Sequence, residues 1–388
     1  MRKILLVSEI FPPTHGGSGR WFWEIYSRFP EGSVACLVGE HPDAETTDPA
    51  FPHPIYRFTL NSSEWGLRSI SGLRYYLKAW NRLRKLVKGE GVAQIHCGRI
   101  LPEGLAAMFI NLTHRVPYTC YVHGEDVEVA LTSRELKLLT QLVMKRAERI
   151  VANSQNSRRI LTEKWQLPEH KVVVMTPGVD VDKFTPATGS QPLQKWAGKR
   201  VILTVGRLQK RKGQDMMIRA LPRLEARFPN LHYCIVGDGA EREPLIRLAA
   251  ELGVSHMVEF AGEIDDAEMV EHYRHCDLFA LPNRRIGNDD EGFGMVLLEA
   301  QACGRSVLAG DSGGTRETLE QGTTGVLVDC TAPEPIAVAL HQLLQNPENL
   351  QTMGYAGRQR VEECFSWNSL AEKARRLFLS SCGVSGGM

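Results

Sequence analysis

Two glutamates frame a glycine-rich turn in the last third of the chain. The turn reads Glu291-Gly292-Phe293-Gly294, and Glu299 lies eight positions after Glu291, inside the apolar run MVLLEAQAC. Gly292 and Gly294 let the backbone turn closely around a ligand, and the helix that follows would point its N-terminus at it. Carboxylates accept hydrogen bonds from the vicinal hydroxyls of a sugar or ribose. Because a carboxylate in an apolar helix is costly without a partner, Glu299 is predicted to contact a polar ligand or side chain.

A group of cations directly follows another apolar run. The run VILTVG at 201–206 is followed by Arg207 and then by Lys210, Arg211 and Lys212. In open parallel sheets, ligands bind beyond the carboxyl ends of the strands, where arginine and lysine can neutralise phosphate oxygens. A diphosphate group is therefore the predicted ligand, and a solvated basic loop is the alternative.

A third glycine-rich loop, HGGSG at 15–19, lies between the apolar run at 3–7 and a helical pattern at 20–29. Backbone N–H groups near Gly16 and Gly17 could approach an anion at the start of that helix. The spacing does not match GxGxxG, and such turns also occur for packing alone. Phosphate contact and packing both remain open for this loop.

The elements that must position these residues are short apolar runs alternating with helical patterns, which predict an α/β protein with parallel sheets. The runs occupy 3–7, 34–39, 93–97, 118–124 and 149–154 in the first half and 201–206, 232–239, 258–262, 277–282, 306–310 and 325–328 in the second. Turn residues dominate 176–192. We predict two doubly wound domains, 1–175 and 199–364, joined by a linker at 176–198, with one large sheet as the less favoured alternative.

Composition narrows the class of protein further. The chain has 388 residues, 43% of them hydrophobic, and a net charge of +1, which predicts a soluble globular protein of about two domains. Its nine cysteines are dispersed without a CxxC pair, so neither a zinc finger nor a disulfide framework is expected. Apolar runs are too short for a signal peptide or a membrane span, which predicts a cytoplasmic location. No motif for nucleic-acid binding is present.

A basic amphipathic helix is predicted between residues 73 and 87. Leu73, Tyr76, Leu77, Trp80, Leu83 and Val87 follow helical spacing, and the cations Arg74, Lys78, Arg82 and Lys85 occupy another face. The stretch 65–88 has seven cations and no acidic residue. Attachment to an anionic membrane surface and packing on the helix's own domain are both compatible with this pattern.

Together, these motifs resemble the retaining nucleotide-sugar glycosyltransferases of family 4. The matching segments are Gly16-Gly17, HGED at 123–126, VANS at 151–154, PGVD with Phe184, GRLQKRKG at 206–213, VGDG at 236–239 and the E-x7-E pair Glu291 and Glu299. The resemblance implies the GT-B fold: two Rossmann-like doubly wound domains facing a cleft, with a C-terminal helix at 365–388 returning to the first domain. The motifs are most similar to those of mannosyltransferases that act on phosphatidylinositol mannosides and related bacterial acceptors.

The resemblance also implies how the donor is bound. Arg207 and Lys212 would bind the donor diphosphate, with backbone near Gly16 and Gly17 supporting it. Glu299 would hold the ribose hydroxyls. Arg207 and Lys212 would also stabilise the charge that develops on the leaving diphosphate.

The transferred sugar would be contacted by Glu291, by the N–H groups of Phe293 and Gly294, and by His123 from the first domain. The implied catalytic residues are His123, Arg207, Lys212 and Glu291. Further donor contacts are implied for Gly292, Asp126 and Ile264, the last through its backbone to the base. The family retains the anomeric configuration, and no protein nucleophile is expected.

The expected reaction moves a hexose, mannose from GDP-mannose, onto a glycan or glycolipid acceptor at the inner face of a membrane. The alternatives are a transferase that uses a UDP-sugar, a nucleotide-sugar epimerase and a non-catalytic nucleotide-sugar sensor. Asp180-Val181-Asp182 matches a DxD metal motif, but its flanks match the family's interdomain turn. No obligatory metal or other cofactor is therefore expected beside the nucleotide sugar.

Overall fold

The protein divides into two compact units. In this computed structural model, which describes residues 3–14, 16–61, 65–187 and 193–379, unit 1 comprises Met1–Pro177 with Trp367–Met388, and unit 2 comprises Gly178–Ser366. Residue 15 of the first glycine-rich loop, 188–192 of the predicted linker and 380–388 of the predicted last helix lie outside the described residues.

Unit 1 contains a seven-stranded parallel sheet in the order β3-β2-β1-β4-β5-β6-β7. Its strands are β1 (Lys3–Ser8), β2 (Val34–Val38), β3 (Ile55–Arg57), β4 (Val92–Cys97), β5 (Tyr118–Val122), β6 (Arg149–Ala152) and β7 (Val172–Val174). The central strands are continuous apolar runs, as expected for a sheet covered on both faces.

Unit 2 contains a six-stranded parallel sheet in the order β10-β9-β8-β11-β12-β13. Its strands are β8 (Arg200–Val205), β9 (Leu231–Val236), β10 (Val258–Gly262), β11 (Leu278–Leu281), β12 (Val307–Gly310) and β13 (Gly325–Val328). The predicted α/β class with two doubly wound sheets is confirmed.

Helices connect the strands throughout the described chain. They are α1 (Gly17–Tyr26), α2 (Ala44–Thr47), α3 (Ile70–Gly89), α4 (Leu105–His114), α5 (Glu125–Ala130), α6 (Arg134–Arg146), α7 (Gln155–Arg159), α8 (Gln214–Ala220), α9 (Arg242–Glu251), α10 (Asp266–His275), α11 (Met295–Ala302), α12 (Pro333–Gln345), α13 (Pro347–Cys364) and α14 (Trp367–Leu379). Within the described ranges, none of them is both long enough and apolar enough to cross a membrane.

The last helix, α14, belongs to unit 1. The ring of Phe378 lies 4.3 Å from that of His96 on β4, and Arg28 donates to the Asn368 side chain over 2.9 Å. Its buried residues include Trp367 and Ala374. The chain therefore returns to the first sheet after completing the second.

From Gly178 onward, the predicted linker is part of unit 2. The Arg358 guanidinium on α13 donates to the carbonyl oxygens of Val181, Phe184 and Ala302, at 3.0, 2.6 and 2.8 Å. Phe184 is buried in the core of the unit. These contacts fasten the segment after Gly178 to the second sheet's helices.

Each sheet has one point where the strand order reverses. In unit 1 the chain builds outward in one direction from β1 to β3 and in the other from β4 to β7; in unit 2 the corresponding neighbours are β8 and β11. Such a reversal opens a crevice beyond the carboxyl ends of the two strands, where ligands of open α/β sheets bind. The loops after β1, β4, β8 and β11 are therefore the places to look for a site.

Candidate active site

The basic loop after β8 lies at the reversal point of unit 2. Gly213, with φ of 77°, ends the turn Lys210–Lys212 and precedes α8. A Cβ on Gly213 would lie 1.8 Å from the carbonyl oxygen of Pro282, which follows β11. The loops after the two central strands thus approach so closely that only glycine fits. Arg207 is exposed, and within the described residues its guanidinium has no ion pair.

Two cations of this loop converge on one oxygen of Glu291. Lys212 Nζ and Arg211 Nη1 each lie 2.6 Å from Glu291 Oε2, and Arg211 Nε lies 3.1 Å from Asp289 Oδ1. Burial alone would raise the pKa of Glu291, but the charges of Lys212 and Arg211 outweigh it and hold that pKa below its ordinary value. Glu291 is therefore a carboxylate at neutral pH.

Arg211 and Arg284 hold the loops around Glu291, a role that sequence reasoning assigned to neither of them. Arg284, in the loop after β11, makes a bidentate pair with Asp215 on α8, both distances being 2.8 Å, and its backbone N–H donates to the Arg211 carbonyl over 2.8 Å. Arg211 belonged to the same basic run as Lys212, which was the available signal. The Arg284 pair had no local signal, because its partner is 69 residues away.

The glycine-rich turn after Glu291 is held by a second loop. Gly294, with φ of 92°, precedes α11, and Phe293 is buried in the core. Gly314 donates its N–H to the Glu291 carbonyl over 2.8 Å, and a Cβ on Gly314 would lie 2.1 Å from the Gly292 oxygen. This contact fixes the direction in which α11 leaves the turn, with its N-terminus beside Glu291.

Glu299 on α11 is buried and accepts a hydrogen bond from the Tyr273 hydroxyl over 2.7 Å. The polar partner that an apolar helix demands is therefore present within the protein. The ring of Phe184 packs 5.7 Å from that of Tyr273, which connects this pair to the segment after Gly178. Ile264, just after β10, packs at the edge of the same core.

His123 follows β5 in unit 1. Its Nε2 lies 2.9 Å from the Gly98 carbonyl oxygen, which can only accept, so Nε2 carries the hydrogen and the neutral ring presents an Nδ1 lone pair. The His123 N–H donates to Asp126 Oδ1 over 3.1 Å, and Asn153 donates to the His123 carbonyl over 3.2 Å. The rings of Trp21 and His123 pack edge to face at 5.8 Å. The HGED and VANS motifs therefore meet at this histidine.

Asp126 is a support for the His123 turn. Burial raises the pKa of its carboxyl group, although the charge of the neighbouring His123 and its backbone N–H act in the opposite direction.

Gly16 and Gly17 lie at the N-terminus of α1, whose first turn has no acidic side chain. In the same loop, a Cβ on Gly19 would lie 3.2 Å from the Phe11 backbone, so packing is an observed role of this loop.

Possible metal ligands cluster elsewhere in unit 2. Within the described ranges, one group could offer three ligand atoms: Cys234, Glu259 and His272, on β9, β10 and α10. The Lys195 ammonium lies 2.9 Å from Glu259 Oε1 and 3.0 Å from His272 Nε2, so a cation of the protein already neutralises the cluster.

The DxD-like segment forms a turn. Asp180 Oδ1 accepts from the backbone N–H groups of Asp182 and Lys183, at 3.0 and 2.9 Å. An aspartate that bonds its own backbone two or three residues on is a common turn device. The geometry thus gives Asp180 a structural role.

The basic helix α3 does not bury the whole apolar stripe that its periodicity predicts. Tyr76, Leu83 and Val87 are buried, but Leu73 and Leu77 are 51% and 59% exposed. Ile70, one turn earlier, is also exposed. The stripe divides because position 76 faces the sheet while positions 73 and 77 face outward.

The four cations of α3 also divide. Arg74, Lys78 and Lys85 are exposed beside Leu73 and Leu77, whereas Arg82 is half-buried with its guanidinium carbon 5.8 Å from the centre of the Tyr56 ring. Arg82 therefore packs on its own unit instead of contributing to the outer surface.

Comparison with known proteins identifies the family. Residues 15–183 match the model "Glycosyltransferase Family 4", and residues 189–360 match "Glycosyl transferases group 1". The chain is 40% identical to the GDP-mannose-dependent alpha-(1-6)-phosphatidylinositol monomannoside mannosyltransferase of Mycolicibacterium smegmatis, over 96% of this chain and 97% of that protein. The chain belongs to glycosyltransferase family 4. A Mycobacterium tuberculosis protein of the same description is 29% identical, over 96% of this chain and 97% of its own length.

Solved structures place this family 4 enzyme in the GT-B fold class. The Anabaena protein HepE in complex with UDP has a TM-score of 0.81 at 19% identity, covering 97% of this chain and 100% of that one. Sucrose-phosphate synthase from Thermosynechococcus elongatus has a TM-score of 0.77 at 20% identity, covering 98% and 100%. The predicted GT-B class and the predicted hexosyltransferase activity with a nucleotide sugar are confirmed.

Proposed function

We propose that this glycosyltransferase transfers mannose from GDP-mannose, with retention of configuration, to a glycolipid acceptor of the phosphatidylinositol mannoside type. The observation that carries the proposal is the convergence of Lys212 and Arg211 on Glu291 at the reversal point of unit 2. The donor, the acceptor class and the sugar are taken from the mycobacterial relatives, which are GDP-mannose-dependent phosphatidylinositol monomannoside mannosyltransferases.

The donor diphosphate lies beside Arg207 and Lys212 in this proposal. Arg207 is exposed and can present two N–H groups to the phosphate oxygens, while Lys212 supplies a point charge from a more buried position. Both charges stabilise the negative charge that develops on the diphosphate as the sugar leaves. Backbone N–H groups near Gly16 and Gly17, at the N-terminus of α1, are also proposed to donate to phosphate oxygens.

The sugar and ribose are assigned to the two glutamates. Lys212 and Arg211 contact Oε2 of Glu291, so Oε1 is the atom proposed to accept from a sugar hydroxyl, together with the N–H groups of Phe293 and Gly294. Glu299, oriented by Tyr273, accepts from the ribose hydroxyls. The Gly292 backbone is proposed to contact the donor beside Glu291. Ile264 is proposed to contact the base of the nucleotide through its own backbone.

His123 is proposed to contact the transferred sugar from unit 1. With Nε2 bound to the Gly98 carbonyl, Nδ1 is the ring atom that can accept a hydroxyl hydrogen. Asp126 acts on the donor through His123, because its carboxylate accepts the His123 N–H. Its proposed role is thus to position the histidine.

The outer face of α3 is proposed to attach the enzyme to anionic phospholipid. Ile70, Leu73 and Leu77 offer apolar side chains to the interface, and Arg74, Lys78 and Lys85 lie beside them. Apolar insertion with flanking cations is the usual chemistry of such attachment. Co-sedimentation with phosphatidylglycerol vesicles should be lost in Lys78→Glu and Leu77→Gln, with Arg223→Glu in unit 2 as the control. Equal binding to phosphatidylcholine vesicles would contradict the proposal.

Nucleotide selectivity tests the proposed donor. GDP and GDP-mannose should raise the unfolding temperature selectively over UDP, ADP and their sugars, since a ligand at 100 times its Kd stabilises the folded state by about 2.7 kcal/mol. Selective stabilisation by UDP would instead identify a UDP-sugar as the donor.

A transfer assay tests the reaction itself. With GDP-[14C]mannose and phosphatidylinositol monomannoside, radiolabelled lipid should form, and the Glu291→Gln and Lys212→Met variants should form none. An epimerase would yield an altered nucleotide sugar without acceptor, and a sensor no product.

A further inference from the structure

The reversal point of unit 1 holds a network of charged side chains. Glu9 directly follows β1, Arg99 lies just beyond β4, and Glu103 lies in the turn that leads into α4. Strands β1 and β4 are the neighbours at which the strand order reverses. The network therefore occupies the place where an open α/β sheet binds its ligand.

The contacts among these side chains are specific. Arg99 Nη2 pairs with Glu9 Oε2 and lies 3.4 Å from Glu103 Oε1, which also accepts the Glu9 N–H over 3.1 Å. The Arg99 guanidinium lies 5.6 Å from the centre of the Trp65 ring. Glu103 is fully buried, whereas the side chains of Arg99 and Glu9 are 17% and 25% exposed. Glu103 thus forms the buried end of the network, and Glu9 and Arg99 form the end that reaches solvent.

Negative charge exceeds positive charge in this network. Among the described residues, Arg99 is the one cation paired with both Glu9 and Glu103. Asp126 extends the network, since it supports His123, whose ring bonds the carbonyl of Gly98 next to Arg99. Within the described residues, Glu103 Oε2 and Asp126 Oδ2 are buried and have no hydrogen-bond partner. The carboxyl groups of Glu9, Glu103 and Asp126 thus share a single guanidinium group, that of Arg99.

The two reversal points therefore present charge of opposite sign. In unit 2, the exposed Arg207 and the partly buried Lys212 offer positive charge to an anion. In unit 1, a phosphate next to Glu9 would face a net negative network, and juxtaposed like charges oppose binding. Neutral hydroxyls avoid this repulsion: they can donate to the exposed edge of Glu9, while Arg99 donates to ring or hydroxyl oxygens.

We infer that Glu9, Arg99 and Glu103 select the acceptor, taking an uncharged, hydroxyl-rich ring such as a hexose or cyclitol and rejecting a ring with a phosphate monoester at that point. The inference rests on the proposed function. It specifies the part of the acceptor that unit 1 binds. The phosphate of a glycolipid acceptor then lies away from the reversal point. Burial and, to a lesser extent, the charge of Glu103 raise the pKa of Tyr75 on α3, the helix whose outer face holds Arg74 and Lys78.

Selectivity between matched rings tests the inference. With GDP present, wild-type protein should bind methyl α-mannoside and myo-inositol at least about tenfold more tightly than mannose 6-phosphate and inositol 1-phosphate, a factor that corresponds to 1.4 kcal/mol. Glu9→Gln and Glu103→Gln should each narrow that ratio. Glu90→Gln is the control, because Glu90 pairs with Lys3 at the opposite ends of the same two strands. It should leave the ratio unchanged.

The outcomes separate this inference from the proposed function. Equal or tighter binding of the phosphorylated rings by wild type, no measurable binding of either uncharged ring, or an unchanged ratio in Glu9→Gln would each overturn the inference. GDP affinity is measured on the same samples. If GDP binds but rings are not distinguished, only the inference fails; if no nucleotide binds, the proposed function fails. If Glu103→Gln does not fold, the more exposed Glu9→Gln retains the test.

Discussion

Lys212 Nζ lies 2.6 Å from Oε2 of Glu291, the same oxygen that Arg211 Nη1 contacts. One carboxylate oxygen thus holds two cations at the end of β8. Preorganised charges need not rearrange as negative charge develops during a reaction, which is the main electrostatic means by which enzymes lower barriers. Glu291 can therefore both contact a sugar and keep Lys212 in position.

Removing the charge of Glu291 should destabilise the protein strongly. Glu291→Gln leaves two buried cations without their shared partner, and the free energy of unfolding should fall by about 3–5 kcal/mol. Lys212→Met should cost less, since Arg211 still pairs with Glu291. Urea unfolding of both single variants and the double variant measures the coupling. Glu334→Gln, which removes the exposed pair with Arg223, should change stability by at most about 1 kcal/mol; an equal loss in both glutamine variants would contradict the prediction.

Arg207→Ala should impair the use of the donor without affecting the fold. A hydrogen bond to a charged group contributes about 1.5–3 kcal/mol, so the donor KM or the transition-state affinity should weaken about 10- to 100-fold. Steady-state kinetics with varied nucleotide sugar measures this, and thermal unfolding checks the fold. Lys210→Ala is the matched control, because Lys210 is exposed in the same loop. The prediction is wrong if both alanine variants have the same effect.

Glu299 should make the affinity for the nucleotide depend on the ribose hydroxyls. Wild type should bind GDP about tenfold or more tightly than 2′,3′-dideoxy-GDP, because a buried carboxylate loses its ligand hydroxyls in the second complex. Glu299→Gln should reduce this difference, and isothermal titration of both nucleotides measures it. Tyr273→Phe removes the hydroxyl that holds Glu299 Oε2 and should produce a smaller effect in the same direction. Retention of full discrimination by Glu299→Gln would move the ribose contact elsewhere.

His96 should make the fold sensitive to acid. Burial and, to a lesser extent, Arg149 lower its pKa from 6.5 to about 3. As the pH falls, His96 is protonated in the unfolded chain before it is protonated in the folded protein. Its contribution to the free energy of unfolding is therefore fully present above pH 6.5 and falls by about 1.4 kcal/mol per pH unit between pH 6.5 and about 3. His96→Gln should remove this contribution, so the slope of unfolding free energy against pH should be shallower than in wild type. His341→Gln, at a more exposed site, is the control; identical slopes for wild type and His96→Gln would refute the prediction.

Much of the fold was predictable because the parallel strands are short, continuous apolar runs that any doubly wound sheet requires. The placement of Arg207, Lys212 and Glu291 after such strands followed from the same logic. The pairing of cations with Glu291 did not, because local sequence does not indicate that Arg211 and Lys212 turn inward while Lys210 stays exposed.

Contacts between distant segments account for the rest. Tyr273 meets Glu299 from α10, and Glu9 meets Arg99 across 90 residues, so neither pair has a local pattern. In α3 the periodicity correctly predicted a helix but not which apolar positions stay exposed. Leu73 and Leu77 fit the stripe, yet the sheet reaches only the side of the helix marked by Tyr76 and Leu83.

The return of α14 to unit 1 has a consequence for biosynthesis. Unit 2 is one continuous stretch, Gly178–Ser366, so the ribosome completes it before α14 emerges. At 5–20 residues per second, the sheet of unit 1 waits roughly 10–40 s with the surface around His96 uncovered. A nascent chain arrested near residue 366 should therefore expose that apolar patch to chaperones, although all residues of unit 2 have been synthesised.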